Sequence, residues 1–237
     1  MTEDSDKVVA ITGASRGIGA ALVTAYRARG YSVVATARSI ERSTDPRIVT
    51  VAGDISEPET AQRVVDEALT RFARIDTLIN NAGVFVTKPF TDYSVDDYHH
   101  VTGVNLAGFF HVTQRVVRHM SDRGNGLVVN VTTTLVEHAN SNIPSALASL
   151  TKGGLAAVTR SLAIEYAATG IRVNAVSLGV IKTSMADPSA YEELAKQHPL
   201  QRMGEIDDIV HGVLYLESSP FVTGEFLHVD GGQSAGR

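Results

Sequence analysis

The strongest constraint on the fold is an alternation, along the whole chain, of short apolar runs and longer stretches with helical spacing. The short runs are continuously apolar, which is typical of strands in a parallel sheet covered on both faces. Seven of them predict strands at Val8–Thr12, Ser32–Thr36, Ile48–Val51, Thr77–Asn80, Leu127–Val131, Arg172–Val176 and Phe226–Val229.

Helices are predicted between these strands. The helical spacing covers Gly17–Arg29, Pro58–Phe72, Val95–His119, Ala146–Ala168 and Ile206–Leu216. Strands that alternate with helices in this way are joined by right-handed crossovers in a doubly wound sheet. No linker or repeat divides the chain. We therefore expect one α/β domain over residues 1–237: a Rossmann-type, doubly wound, parallel seven-stranded sheet with helices on both faces.

One connection is much longer than the others. The segment Thr183–Met203 contains two prolines and a short predicted helix at Tyr191–Gln197. Long connections near the carboxyl ends of parallel strands often cover a ligand. The segment is interpreted as a substrate lid over residues 183–203, with an ordinary surface insertion as the alternative.

Composition excludes several classes of protein. Of 237 residues, 43% are hydrophobic and none is cysteine, so disulfides and thiolate-bound metals are ruled out. The net charge of −5 argues against a nucleic-acid partner. No apolar stretch approaches the roughly 20 residues that cross a membrane, and Met1–Lys7 lacks the apolar run of a secretion signal. We expect a cytoplasmic protein without a membrane or metal site.

A glycine-rich loop follows the first predicted strand and opens a helix. It reads Thr12-Gly13-Ala14-Ser15-Arg16-Gly17-Ile18-Gly19. Glycines permit a tight turn there and let backbone N–H groups approach a pyrophosphate at the helix N-terminus. A purely structural turn is the alternative, but the order of strand, glycines and helix favours a dinucleotide site. The predicted contacts in this loop are Gly13, Ser15, Arg16, Gly17, Ile18 and Gly19.

The chain resembles the short-chain dehydrogenase/reductase family over nearly its whole length. The resemblance rests on the glycine spacing, on Asn80-Asn81-Ala82-Gly83, on Asn105, and on segments at 173–177 and 223–232. It implies an NAD(P)(H)-dependent oxidoreductase that acts on a hydroxyl or carbonyl carbon of a small molecule. It also implies a homo-oligomer, either tetramer or dimer.

The same resemblance implies further cofactor contacts. Asp54 would contact the adenine, and Asn81 would lie near the adenosine ribose. The family usually has a Pro-Gly turn after the sixth strand, where this chain has Leu178-Gly179. The remaining implied contacts are Ile55, Ala82, Gly83, Lys152, Gly179, Ile181 and Thr183, of which Ile181 and Thr183 would bind the nicotinamide carboxamide.

The end of the second strand favours NADP(H) over NAD(H). An acidic residue there would bind the ribose hydroxyls of NAD and repel a 2′-phosphate. The chain has Ala37 at this place, followed by Arg38, while Arg16 lies in the glycine loop. Either arginine alone could be a solvated surface charge, but two guanidinium groups without an acid suit a phosphate.

The catalytic pattern of the family is broken in this chain. The resemblance implies a serine after the fifth strand and a Tyr-x3-Lys pair on the next helix. Lys152 is present, but Ala148 stands at the tyrosine position, and no tyrosine lies between Tyr98 and Tyr166. Thr133 fills the serine position best, with Thr134 as the alternative. The expected catalytic residues are Asn105, Thr133 and Lys152.

Replacements for the missing phenol can be weighed from the sequence. His138 lies in a loop, from Thr134 to Ala148, that is about two residues longer than usual; a solvated histidine is its simpler interpretation. Lys152 could itself transfer a proton if burial lowered its pKa, whereas Ser149 is a poor acid. Two functions stay open: an oxidoreductase with atypical proton transfer, and a non-catalytic NADP(H)-binding sensor or scaffold protein.

Two further groups of apolar residues are assigned from their positions in the chain and from the family resemblance. One is a possible apolar pocket lining formed by Phe85, Val86, Leu135, Met185 and Tyr191. The other is a helix surface that either pairs with a second subunit or faces the chain's own sheet, formed by Leu155, Ala156, Val158, Leu162 and Ala163.

Overall fold

Seven parallel strands form one sheet in a computed structural model that describes residues 7–184 and 186–236. The strands are β1 Val8–Thr12, β2 Ser32–Ala37, β3 Ile48–Ala52, β4 Thr77–Asn80, β5 Gly126–Thr133, β6 Ile171–Leu178 and β7 Phe226–Val229. Their order is β3-β2-β1-β4-β5-β6-β7, and every neighbouring pair is parallel. The predicted doubly wound sheet is confirmed.

Helices cover both faces of the sheet. They are α1 Gly17–Ala28, α2 Pro58–Phe72, α3 Val95–Thr102, α4 Gly108–Arg123, α5 Ala146–Tyr166, α6 Tyr191–Ala195 and α7 Ile206–Ser218. On one face, Leu22 of α1 and Val213 of α7 pack on the sheet. On the other, Val64 of α2, Val116 of α4 and Ala163 of α5 do so. Because every central strand is buried on both faces, its residues are apolar without alternation.

The strand order reverses direction beside β1, and this creates the place for a ligand. The chain builds β2 and β3 on one side of β1, and then crosses to lay β4 on the other side. The loops that follow β1 and β4 therefore leave the sheet in opposite directions. A crevice opens between them at the carboxyl ends of the strands.

The helix predicted at Val95–His119 is interrupted in the structure. A π-helical turn at Gly103–Ala107 separates α3 from α4. The prediction of one continuous helix was therefore wrong at this turn. The wider turn carries Asn105, whose buried amide bonds to two other segments, and these tertiary bonds offset its poorer helical geometry.

The proposed subunit-pairing surface on α5 mostly faces inward. Leu155, Ala156 and Ala163 are buried, and Ala163 belongs to the core beneath the helix. Of the two interpretations left open, the chain's own sheet is the one that the structure supports for these three residues. Large apolar side chains that are exposed on α4 and α5 are instead Phe110, Leu150 and Ile164. In the described ranges 7–184 and 186–236, no helix has both the length and the apolar character needed to span a membrane.

Candidate dinucleotide and substrate site

A cavity of about 930 Å³ opens at the carboxyl ends of β1, β4, β5 and β6. It lies at the crevice where the strand order reverses. The predicted site residues that line it are Gly13, Ser15, Arg16, Gly17, Ile18, Gly19, Arg38, Asp54, Ile55, Asn81, Ala82, Gly83, Thr133, Lys152, Ile181 and Thr183. Two predicted residues, Asn105 and Gly179, stand behind its wall. The fold thus brings together residues that are up to 170 positions apart in the chain (183 − 13).

The loop after β1 strongly favours glycine at three positions. Gly13 and Gly17 have positive φ angles of 67° and 55°. A Cβ on Gly19 would overlap the carbonyl oxygen of Gly13, and a Cβ on Gly13 would lie 2.9 Å from the Cα of Ala82. The backbone therefore packs closely here and leaves the N-terminus of α1 facing the cavity. This cradle fits a pyrophosphate, because the positive end of a helix and its free N–H groups attract anions.

Hydrogen bonds tie the ends of β1 and β4 together. The Nδ2 of Asn81 donates to the carbonyls of Thr12 and Gly13, at 2.9 and 3.1 Å. The hydroxyl of Thr12 accepts from the backbone N–H groups of Asn81 and Ala82, at 3.1 and 3.0 Å. Sequence reasoning gave Thr12 no role, although a hydroxyl residue just before the first glycine was the available signal. In this structure the Asn81 amide holds the glycine loop in shape.

The end of the cavity beside β2 carries positive charge without a strand-end acid. Ala37 ends β2, and the exposed side chains of Arg38 and Arg16 line the opening. Asp54 lines the same end. Burial raises the pKa of Asp54, but hydrogen bonds from the Ser56 N–H and hydroxyl, together with the charge of Arg38, lower it overall. The Asp54 carboxylate is therefore ionised at neutral pH.

Lys152, Thr133 and Ala148 also line the cavity. The Nζ of Lys152 donates to the Val131 carbonyl at 2.8 Å, and burial lowers the pKa of Lys152 to about 8. The methyl group of Ala148 is buried and lines the cavity one helical turn before Lys152. Thr134 is buried outside the cavity and donates to Gln233. Of the two threonines, Thr133 is therefore the one that reaches this space.

Asn105 acts inside the wall of the cavity. Its Oδ1 accepts from the Val84 N–H at 2.9 Å, and its Nδ2 donates to the Val84 carbonyl and to the Thr151 hydroxyl, each at 3.1 Å. These bonds attach the loop after β4 to the π turn and to α5. Gly83 in that loop leaves room for Lys152, because a Cβ there would lie 3.0 Å from Nζ. Asn105 thus shapes the backbone that faces Lys152.

The loop of residues 134–145 forms part of the cavity wall through Leu135, Asn142 and Ile143. It docks on the loop after β4, where the Thr87 hydroxyl and the Lys88 N–H both donate to the Pro144 carbonyl. His138 in this loop is exposed and does not line the cavity. Ser149 donates to the Leu135 carbonyl and is likewise outside. Two lining residues that sequence reasoning missed are Asn142 and Ile143, in a loop without a recognisable pattern.

The apolar pocket lining was predicted in part. Phe85 and Leu135 line the cavity, whereas Val86 and Tyr191 do not. The backbone carbonyl of Val86 accepts from the Tyr93 hydroxyl at 2.9 Å. Met185 lies outside the described residues. Within the 183–203 segment, further lining comes from Ser184, Ala186, Asp187 and Leu194.

A parallel sheet with a glycine cradle at its reversal point defines a dinucleotide-binding α/β protein, and sequence comparisons refine that class. Residues 13–234 match the family described as enoyl-(acyl carrier protein) reductase. The chain is 33% identical to the 2-dehydro-3-deoxy-D-gluconate 5-dehydrogenase of Bacillus subtilis, over 95% of this chain and 94% of that protein. On these matches, the chain belongs to the short-chain dehydrogenase/reductase family of oxidoreductases.

Solved structures agree with this assignment. The gluconate 5-dehydrogenase of Burkholderia cenocepacia, in complex with NADP and tartrate, superimposes with a TM-score of 0.87. It is 28% identical, and the match covers 98% of this chain and 96% of that one. The 3-ketoacyl-(acyl-carrier-protein) reductase of Brucella melitensis, complexed with NADH, gives a TM-score of 0.89 at 28% identity, covering 96% of this chain and 98% of that one. Similar structures therefore hold either cofactor.

The close packing at Gly19 leads to a testable prediction. Gly19→Ala should weaken dinucleotide binding more than about tenfold, because the new methyl group displaces the Gly13 carbonyl from the cradle. Gly153→Ala is the matched control, since a Cβ there would meet only Val136, at 3.9 Å. Titrating NADPH by its fluorescence measures both variants. Unchanged binding in Gly19→Ala would show that this loop does not hold the cofactor.

Proposed function

We propose that this chain is an NADP(H)-dependent oxidoreductase that acts on a carbonyl or hydroxyl carbon of a small molecule. In this proposal a group other than tyrosine exchanges the proton with the substrate oxygen. One observation carries the proposal. Lys152 and Thr133 line the same cavity as the glycine cradle and Arg38. A half-buried lysine with a lowered pKa, in the same cavity as a hydroxyl and an alanine at the phenol position, suits proton transfer better than structural support.

Each part of NADP(H) has proposed binding residues in the cavity. The start of α1 would hold the pyrophosphate, Arg16 and Arg38 the 2′-phosphate, and Asp54 the adenine. Ile181 and Thr183, which follow β6, would bind the carboxamide. When bound, this cofactor supplies or accepts a hydride. Among similar structures NADP and NADH both occur, so the preference rests on Ala37 and the two arginines.

Replacing Arg38 tests the cofactor preference. Arg38→Ala should weaken NADPH binding selectively, by about 10- to 100-fold, because a charge-assisted contact to a phosphate contributes about 1.5–3 kcal/mol. NADH binding should change little. Arg42→Ala, an exposed arginine that does not line the cavity, is the control. The preference is refuted if the wild type binds NADH as tightly as NADPH at matched ionic strength.

Lys152 is the proton source in this proposal. Among the described residues that line the cavity, the titratable side chains are Arg16, Arg38, Asp54, Lys152 and Asp187. Hydrogen bonds from the Ser189 N–H and side chain lower the pKa of Asp187, so this acid is ionised at neutral pH. The Lys152 ammonium can donate to the substrate oxygen while Thr133 hydrogen-bonds that oxygen. The neutral amine then regains a proton from water in the open cavity.

A tyrosine at position 148 tests the proposal that proton transfer is limited by the missing phenol. Ala148→Tyr should raise ketone reduction about tenfold or more, since a placed general acid contributes about 10²–10⁴. NADPH affinity should stay within about twofold of wild type. Ala148→Phe is the matched control, because it adds the same ring without the hydroxyl. In the wild type, reduction should fall as pH rises through about 8, where Lys152 loses its proton.

Two outcomes would contradict the proposal. If Ala148→Tyr lowers a wild-type rate that is already high, another group is the acid. If the wild type binds NADPH but reduces none of a panel of ketones, aldehydes and imines, the second candidate holds. That candidate is a non-catalytic NADP(H)-binding sensor or scaffold protein, and the absence of the tyrosine at Ala148 favours it.

The substrate would be covered by the 183–203 segment. The two ends of this segment are held together, because Ile181 pairs with Gly204 and Lys182 forms an ion pair with Glu205. Leu194 of the segment faces the cavity together with Phe85 and Leu135. This largely apolar wall supports a lid over a small carbonyl compound with an apolar portion.

Subunit pairing through α4 and α5 is part of the same proposal. Phe110 on α4 and Leu150 and Ile164 on α5 are 56%, 60% and 79% exposed, which is high for large apolar side chains. Sedimentation at micromolar concentration should show a dimer or tetramer, and Ile164→Glu should dissociate it. Val95→Glu, on the exposed part of α3, is the control. A monomeric wild type would refute the oligomer.

A further inference from the structure

His198 is a buried polar side chain in a segment that is otherwise mostly exposed. Only 1% of its surface is accessible, although its neighbours Lys196, Pro199 and Leu200 are exposed. A buried imidazole normally has a specific hydrogen-bonding task, because an unpaired polar group in the interior is destabilising.

The ring of His198 connects two walls of the cavity. Its Nε2 accepts from the backbone N–H of Val180 at 3.0 Å, and its Nδ1 lies 3.1 Å from the carbonyl oxygen of Leu194. Because a carbonyl can only accept, Nδ1 carries the proton and Nε2 presents a lone pair. The ring therefore joins the loop after β6 to α6 through both nitrogens. Val180 and Leu194 both line the cavity.

The His198 ring explains why residue 179 is a glycine. A Cβ at Gly179 would lie 2.8 Å from Nε2 of His198 and 2.9 Å from the Cα of Asp230. Gly179 does not line the cavity. Because Gly179 has no side chain, the His198 ring fits behind the cavity wall. The His198 side chain also lies beside the turn after β7, since a Cβ at Gly231 would lie 3.2 Å from the Cβ and 3.5 Å from the Cδ2 of His198.

We propose that His198 is a positioning residue for the nicotinamide half of the cofactor. It holds the Val180–Thr183 backbone and the lid helix α6 in one arrangement, so that Ile181, Thr183 and Leu194 form a single surface. The adenosine half is bound by the glycine loop, Arg38 and Asp54, none of which His198 contacts through any of its hydrogen bonds. The inference rests on the cofactor assignment made under the proposed function.

The two halves of the cofactor can be titrated separately. Adenosine 2′,5′-bisphosphate reports the adenosine half alone, and NADPH reports both halves. His198→Leu keeps bulk but loses both hydrogen bonds, so NADPH binding should weaken about tenfold while bisphosphate binding stays within about twofold. His198→Gln keeps one acceptor and one donor and should recover part of the NADPH affinity. His211→Leu, an exposed histidine on α7, is the control.

Hydrogen exchange of the wild-type protein gives a second measurement that needs no variant. NADPH should slow exchange at the Val180 amide and in residues 191–198, whereas the bisphosphate should leave both unchanged. Equal slowing by the two ligands would overturn the inference, as would a His198→Leu variant that binds NADPH like wild type or loses both ligands equally. If the wild type binds neither ligand, the cofactor assignment itself fails, and this inference fails with it.

Discussion

The hydrogen bonds between the ends of β1 and β4 are the constraint on which the site depends. At the point where the strand order reverses, two loops diverge, and nothing in the sheet ladder holds them at a fixed separation. Asn81 and Thr12 supply that connection with four bonds between the loops. Since a Cβ on Gly13 would strike Ala82, the loops can approach this closely only without a side chain there. The cradle, the start of α1 and the loop facing Lys152 all follow from this contact.

The sheet could be predicted from the sequence because parallel strands buried on both faces leave a continuous apolar signal. β1, β4 and β7 have the predicted bounds, and β5 and β6 extend further only at their ends. The π turn could not be predicted, because it depends on bonds from Asn105 to Val84 and Thr151, 21 and 46 residues away. Helical periodicity carries no information about such tertiary partners.

The candidate site was predictable to the extent that glycines and strand ends mark it. Loops that lack a pattern were not predictable. Asn142 and Ile143 reach the cavity in such a loop, beside a Pro144 carbonyl that accepts from Thr87 and Lys88. His198 was likewise invisible, since its partners Val180 and Leu194 are backbone groups that any residue could supply. A hydrogen bond to a backbone group does not require a particular side chain on that residue, so the sequence does not reveal it.

The residues that match the family's catalytic positions do not support catalysis equally. Asn105 has a complete structural reason to be present, because its amide is bonded on both sides to Val84 and also to Thr151. A protein that had lost its activity would still need it. Lys152 is different, since burial lowers its pKa to about 8 and its described hydrogen-bond acceptor is one backbone carbonyl. Holding a desolvated ammonium without a carboxylate partner costs stability. A methionine would fill the same space without that cost, so the retention of Lys152 is the strongest single argument that this cavity still performs chemistry or binds the cofactor's ribose.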